Sequence, residues 1–128
     1  MLSFKTMFSL LVIGSLVVQS PVEISRKAQV IRAYPDLKHE SGWWKVPKGK
    51  KTMTIYVAVK NTETVLFWLI PTGTQTWKER ELIGFDKDGK DGWSFTWNFG
   101  DRTFHDHITV QAIGEDSVSS DTFNVSSD

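Results

Sequence analysis

The stretch from Val65 to Phe99 constrains the fold of this chain more than any other part of the sequence. It contains four of the six tryptophans, and gaps rich in Gly, Asp, Thr and Pro separate its short apolar runs. Apolar runs of strand length between such gaps are typical of β-strands joined by tight turns. The stretch therefore predicts an all-β fold, but it does not identify a ligand or a reaction.

Two strands within this stretch are predicted to supply the core. From Trp93 to Phe99, large aromatic residues alternate with polar ones, which predicts a strand with Trp93 and Trp97 facing inward. The run from Val65 to Ile70 is apolar at every position, so we expect this strand to be covered on both sides, with Trp68 also in the core.

The same signals continue along the chain and predict about seven short strands, with no helical period after residue 20. The predicted strands lie near residues 27–34, 52–60, 65–70, 82–85, 93–99, 105–114 and 121–125. We expect residues 21–51 to form a lead-in with the first strand and a loop. Residues 52–128, together with that strand, are expected to form an antiparallel β-sandwich.

The first twenty residues differ from the rest in composition. Lys5 precedes an apolar run from Met7 to Val18, which is short for a bilayer span but fits the apolar region of a secretory signal peptide. We therefore expect residues 1–20 to be a signal peptide or, if Pro21 prevents cleavage, an N-terminal anchor. Either outcome predicts a secreted or cell-surface protein.

The absence of cysteine and the equal numbers of acidic and basic residues exclude several kinds of site. The chain contains no cysteine, which excludes a disulfide framework, a thiolate nucleophile and a cysteine-based zinc site. Cysteine-free exported domains are commoner in bacteria than among animal secretory proteins, so the composition favours a bacterial source. Basic and acidic residues number 15 each, so no overall positive field attracts nucleic acid. Membrane contact is expected only through an uncleaved N-terminal segment.

The order of motifs in the second half of the chain carries a family resemblance. An apolar strand is followed by V-x-F-W at residues 65–68, L-I-G-F-D at 82–86, an aromatic strand ending in Trp97 and a closing strand at 123–125. In this order, residues 52–125 resemble the bacterial immunoglobulin-like (Ig-like) domains of secreted and cell-surface proteins. The resemblance implies an Ig-like sandwich without catalytic residues. An insertion from Pro71 to Lys78, which contains Trp77, departs from the family pattern.

Asp86, Asp88 and Asp91 are the strongest metal candidate, because carboxylates within one short loop can supply the oxygen ligands that Ca²⁺ prefers. The loop is not an EF-hand, since its first glycine falls at the fourth position and no glutamate falls at the twelfth. Asp and Gly are also ordinary turn residues, and Lys87 and Lys90 reduce the negative charge of the loop. We expect no cofactor, with Ca²⁺ at this loop as the alternative.

His105 and His107, with Asp101 nearby, are the candidate catalytic group. On a strand the two histidines share one face, where they could bind a metal ion or serve as an acid–base pair. No third metal ligand is evident close to them, and no serine lies in a nucleophile motif of the G-x-S-x-G type. We therefore expect a protein that is not an enzyme, with a small metal-dependent hydrolase as the alternative.

Trp43, Trp44 and Trp77 lie in predicted loops and are the candidate binding residues. Exposed tryptophans can stack on sugar rings or anchor a protein partner. The alternative is that they cover the ends of the sandwich and belong to its core. The sequence therefore predicts a binding or structural module, whose partner is a protein, the cell wall or a polysaccharide. The solvent exposure of these tryptophans decides between the alternatives.

Overall fold

The computed structural model describes residues 26–128. These residues form two β-sheets that pack face to face. The predicted signal peptide or anchor at residues 1–20 lies outside these described residues. The strands are β1 (Gln29–Pro35), β2 (Lys38–Glu40), β3 (Trp43–Val46), β4 (Thr52–Lys60), β5 (Thr64–Pro71), β6 (Glu81–Asp86), β7 (Trp93–Asn98), β8 (His105–Ile113) and β9 (Val118–Ser127). A single turn of 3₁₀ helix, Trp77–Glu79, interrupts the β5–β6 connection. Residues 26–128 contain no helix with the length and apolarity that a bilayer crossing requires.

The strand order confirms the predicted β-sandwich. One sheet has three strands in the order β1-β4-β7, and the other has six in the order β2-β3-β9-β8-β5-β6. Neighbouring strands are antiparallel except for β3 and β9, which run parallel. The chain therefore crosses between the sheets several times, as in other Greek-key sandwiches.

The core lies between the sheets and follows the alternation that the sequence predicts. Met53 and Ile55 of β4 face Phe67 and Leu69 of β5, and these four side chains are almost fully buried. Burial of each such side chain stabilises the fold by roughly 1.5–3 kcal/mol. The predicted inward orientation of Trp93 and Trp97 is confirmed, since both rings are half-buried and pack against this core.

The prediction that Trp68 belongs to the core is wrong. Along β5 the buried side chains Val65, Phe67 and Leu69 face the other sheet, whereas Leu66 and Trp68 are half-buried on the opposite side. The strand is apolar at every position, so its composition could not distinguish its two faces. Within residues 26–128, no second sheet covers the side of β5 that carries Trp68, and Trp77 and Arg80 lie against this indole.

Strands β2 and β3 form where the sequence predicts a loop, so residues 26–128 contain nine strands instead of about seven. Ser41 and Gly42 join them as a two-residue turn with positive φ angles of 52° and 86°, which suits a tight hairpin. The two strands have only three and four residues, too few for alternation to reveal them. The predicted lead-in thus adds strands to both sheets, because β1 pairs with β4 and β3 pairs with β9.

Gly84 allows an aromatic contact that joins the sheets. The ring of Phe95 on β7 stacks on Phe67 of β5 with centroids 5.3 Å apart. Gly84 lies opposite Phe67 on β6, and a Cβ atom at this position would come within 2.3 Å of the Phe95 ring. The absence of a side chain at Gly84 is therefore what lets Phe95 reach its partner.

The replacement Gly84→Ala is expected to lower the free energy of unfolding by about 1–3 kcal/mol, the usual cost of overpacking a filled core. The Phe95 ring cannot swing away without losing its contact with Phe67. Urea denaturation measures the change, and Ser94→Ala, at an exposed position of the same strand as Phe95, is the control. Equal stability of Gly84→Ala and Ser94→Ala would contradict this account of the contact.

Candidate binding face

The surface of the six-stranded sheet that turns away from the other sheet is here called the outer face. Strand register arranges its side chains in rows that run across the strands. One row holds Trp43, Asn124, His107 and Ile70; the next holds Thr122, Thr109, Trp68 and Leu82; the third holds Ser120, Gln111, Leu66 and Phe85. Aromatic side chains thus lie towards the two sides of the sheet and polar side chains lie between them.

At the β3 side of the outer face, Trp43 stacks on His105. Their ring centroids are 4.5 Å apart with an interplanar angle of 17°. The β2–β3 hairpin holds Trp43 in place, because Asn124 Nδ2 donates a hydrogen bond of 3.3 Å to the carbonyl of Gly42. Trp43 is half-buried and His105 is exposed, so the stack is open to solvent. We call this pair the Trp43–His105 stack.

At the β5–β6 side, Trp68, Trp77 and Arg80 form a second group, called the Trp77 cluster. The two indole rings meet edge to face at 5.9 Å, and the Arg80 guanidinium lies 4.8 Å from the Trp68 ring and 4.6 Å from the Trp77 ring. Arg80 also donates a hydrogen bond of 3.2 Å to the Trp77 carbonyl. Such a cation held on two aromatic faces stabilises their arrangement. Trp77 keeps 42% of its surface exposed.

Between the two groups, hydrogen-bonded polar side chains form the centre of the outer face. Thr109 and Thr122 share a hydrogen bond of 2.8 Å, and Trp68 Nε1 donates to Gln111 Oε1 at 3.0 Å. Thr109 itself is only 5% exposed, so Thr122 and Gln111 present the polar surface. These bonds hold the neutral side chains in fixed positions relative to Trp68.

The hydrogen bonds around His107 indicate which nitrogen of its ring carries a proton. Asn124 Nδ2 donates to the Gly42 carbonyl, so Asn124 Oδ1 is the amide atom that lies 2.6 Å from His107 Nδ1. An amide oxygen only accepts hydrogen bonds, and therefore Nδ1 of His107 donates. In the neutral ring Nε2 is then a hydrogen-bond acceptor. The centre of the face thus offers both hydrogen-bond donors and acceptors.

Of the three tryptophans predicted to bind, the structure places Trp43 and Trp77 on the outer face but not Trp44. The Trp44 ring packs against the core, lies 6.5 Å from the Phe123 ring and contacts His39 at 4.8 Å. Neighbouring residues on a strand point to opposite faces, which separates Trp44 from Trp43. Trp44 therefore contributes to the packing of the core, whereas Trp43 and Trp77 lie where a partner can reach them.

The predicted calcium loop is organised by hydrogen bonds to its own backbone. The Asp86 carboxylate accepts hydrogen bonds from the amides of Asp88 and Ser94, at 2.9 and 3.0 Å, and Asp88 accepts one from the amide of Lys90 at 3.0 Å. Within residues 26–128, no group of three or more His, Asp or Glu side chains is placed to hold a metal ion. The described geometry does not bring Asp91 together with the other two carboxylates.

The candidate catalytic residues contact different partners. His105 stacks on Trp43, His107 bonds to Asn124, and Asp101, in the β7–β8 connection, pairs with Lys51 just before β4. The hydrogen bond from the Lys51 ammonium, together with its positive charge, holds the pKa of the Asp101 carboxyl below its ordinary value. The pair therefore adds stability at neutral pH, and this contribution is lost as the pH falls through the lowered pKa. The two histidines contribute to the outer face instead.

Sequence reasoning missed several residues of this face. Alternation along β8 does place His107, Thr109 and Gln111 on one side, so this signal was available. The role of Arg80 has no sequence signal, because it follows the 3₁₀ turn and reaches Trp68 only through the fold.

Comparison with known proteins supports the fold. No protein-family model matches the sequence, and no curated protein matches it. The crystal structure of FN3tt, a fibronectin type III-like domain, superposes with a TM-score of 0.51 at 9% sequence identity, covering 77% of this chain and 95% of that chain. At this identity the likeness shows the fold alone, an Ig- or fibronectin-type β-sandwich. Domains with this fold are typically non-catalytic.

Two adjacent serines of β9, near the Trp43–His105 stack, differ in their hydrogen bonds, and their replacement by alanine should therefore have different effects. Ser126 lies opposite His105, is 7% exposed, and its hydroxyl has no hydrogen-bond partner within the described residues. Ser127 Oγ accepts a hydrogen bond of 2.8 Å from the amide of Phe104. We expect Ser127→Ala to lower the free energy of unfolding by about 1–3 kcal/mol and Ser126→Ala to leave it unchanged or raise it. Chemical denaturation measures both, and a greater loss in Ser126→Ala would contradict the assignment.

The Asp86 hydrogen bonds give a test of the calcium alternative. Asp86→Ala removes two backbone partners, so we expect the free energy of unfolding to fall by about 1–3 kcal/mol, equally with and without millimolar Ca²⁺. Thermal melts of the unaltered chain and of Asp88→Asn provide the comparison. A melting temperature that Ca²⁺ raises by several degrees in the unaltered chain, but not in Asp88→Asn, would replace the turn explanation by a calcium site.

Proposed function

We propose that this chain is a non-catalytic binding module that acts outside the cell through the outer face of its six-stranded sheet. The observation that carries the proposal is the presence of two aromatic groups, the Trp43–His105 stack and the Trp77 cluster, on one face with polar side chains between them. Partly exposed aromatic side chains in fixed positions supply most of the binding energy of protein surfaces.

The positions of these groups support binding more than a structural role alone. The hairpin turn at Gly42 and the Arg80 guanidinium hold Trp43 and Trp77, yet both indoles retain surface in contact with solvent. Leu82 and Phe85, at the edge of the same face, are also among the most exposed large apolar residues of the described chain. A surface of rigid, exposed aromatic groups is costly to keep in water and is therefore a candidate for recognition.

The location outside the cell rests on the sequence. The apolar run from Met7 to Val18 fits a secretory signal, and the absence of cysteine favours a bacterial exported domain. A bacterial wall would present both proteins and polysaccharides to such a module. Calcium and nucleic acid have no part in this proposal.

The test is the binding of the full chain to insoluble bacterial cell walls in a sedimentation assay. Trp77→Ala should weaken binding roughly tenfold or more, because the loss of an aromatic anchor removes at least about 1.4 kcal/mol. Tyr56→Ala is the matched control, since Tyr56 is 43% exposed and lies on the outer surface of the three-stranded sheet, against 42% for Trp77. Equal wall binding by both variants, or no binding by the unaltered chain, would refute the proposal.

A further inference from the structure

We infer that the ligand of the outer face is an uncharged polysaccharide, seated across the strands from the Trp43–His105 stack to the Trp77 cluster. This inference rests on the proposed function and names its ligand class. It follows from three properties of the face: the separation of its aromatic groups, the hydrogen-bonding capacity of its centre and the distribution of its charges.

The separation of the aromatic groups requires an extended ligand. Trp43 lies on β3 and Trp68 on β5, with β9 and β8 between them. Neighbouring strands lie about 4.8 Å apart, so the backbones of Trp43 and Trp68 are separated by roughly 14 Å across the sheet. One sugar ring or one amino-acid side chain cannot cover both Trp43 and Trp68. A linear chain of several sugars can contact the two groups at once.

The chemistry of the aromatic groups suits sugar rings. The face of a sugar ring carries C–H groups, which pack on the electron-rich face of an indole or imidazole while the hydroxyl groups remain at the ring's periphery. Both sides of the outer face offer such rings, with the exposed imidazole of His105 stacked on Trp43 at one side and the exposed indole of Trp77 at the other.

The centre of the outer face has unused hydrogen-bonding groups for the hydroxyls. Gln111 uses its oxygen for Trp68, and its Nε2 donates no hydrogen bond within the described residues. The neutral ring of His107 offers Nε2 as an acceptor, and Thr122 is exposed. Arg80 uses one N–H group for the Trp77 carbonyl and has others for a neighbouring sugar.

The distribution of charge favours an uncharged chain. The central residues Gln111, Thr122 and Asn124 carry no charge. At the β2 edge, Lys38 Nζ and Glu40 Oε2 lie 4.0 Å apart and offset each other, and the Lys45 cation of β3 lies in the same row as Ser126 and His105. The Arg80 cation lies against two indole rings, and the whole chain has equal numbers of acidic and basic residues. An anionic polymer would find no continuous positive track across the face.

A protein partner fits this arrangement less well. Protein interfaces place apolar anchors at the centre, where water is excluded, and polar residues around the rim. The outer face has the reverse order, with Gln111 and Thr122 between two aromatic sides. Burial of these polar groups under an apolar protein surface would leave hydrogen bonds unmade. Sugar hydroxyls, by contrast, can form the hydrogen bonds that water otherwise forms with these polar groups.

Two chemical treatments of the cell walls used above separate the ligand classes. Protease removes wall proteins, and mild periodate cleaves the carbon–carbon bond between neighbouring hydroxyls of sugars. We expect binding of the full chain to survive protease and high salt and to fall at least tenfold after periodate. Binding that protease abolishes, with or without periodate sensitivity, overturns the polysaccharide assignment, and binding that high salt abolishes overturns its neutrality. Either result leaves the binding module standing if Trp77→Ala still weakens binding.

The span across the face is tested with neutral fragments released from protease-treated walls and sorted by length. For long fragments, Trp43→Ala and Trp77→Ala should each weaken binding roughly fivefold or more, whereas Trp43→Phe, which keeps an aromatic ring, should weaken it less. Tyr56→Ala should bind as the unaltered chain does, and circular dichroism confirms folding of each variant. If the affinity depends on Trp77 but not on fragment length or on Trp43, the ligand does not contact both aromatic groups, and the proposed span across the face is overturned.

Discussion

The stacking of Phe95 on Phe67 over Gly84 is an aromatic contact that holds the two sheets together. It joins β7 of the small sheet to β5 of the large one, and it adds to a core that has no disulfide to assist it. A shift of β5 by one residue would turn every inward side chain outward. The inward position of Phe67, which Val65 and Leu69 share, places the next residue of β5, Trp68, on the outer face.

The β-sandwich could be predicted because its longer strands carry a clear period of two. The alternation from Trp93 to Asn98 identified a half-buried strand, and the fold bears this out. The hairpin of β2 and β3 could not be predicted in the same way, because its strands are shorter than the pattern that reveals a strand. Its parallel pairing with β9 joins residues far apart in sequence, and local patterns hold no information about such pairs.

The candidate site shows the same division between local and non-local information. Trp43 and Trp77 were identified from their place in predicted loops, since loops often carry binding residues. Trp68 was assigned to the core, because a strand that is apolar at every position does not show which face is open. Arg80 and Asn124 depend on side chains brought together by the sheet, and only the fold reveals their contacts with Trp68 and His107.

The β2–β3 hairpin has a consequence for neighbouring copies of the chain. Without it, the long strand β9 would expose a row of unpaired amide and carbonyl groups, a ready template for pairing with another molecule. Among the described strands, the edge is instead β2, which has three residues, Lys38, His39 and Glu40, all exposed. The opposite edge, β6, is irregular beside Phe67, where its register shifts. Short, charged and irregular edges resist intermolecular strand pairing, so neither edge of the six-stranded sheet is a ready template for a strand of a second copy.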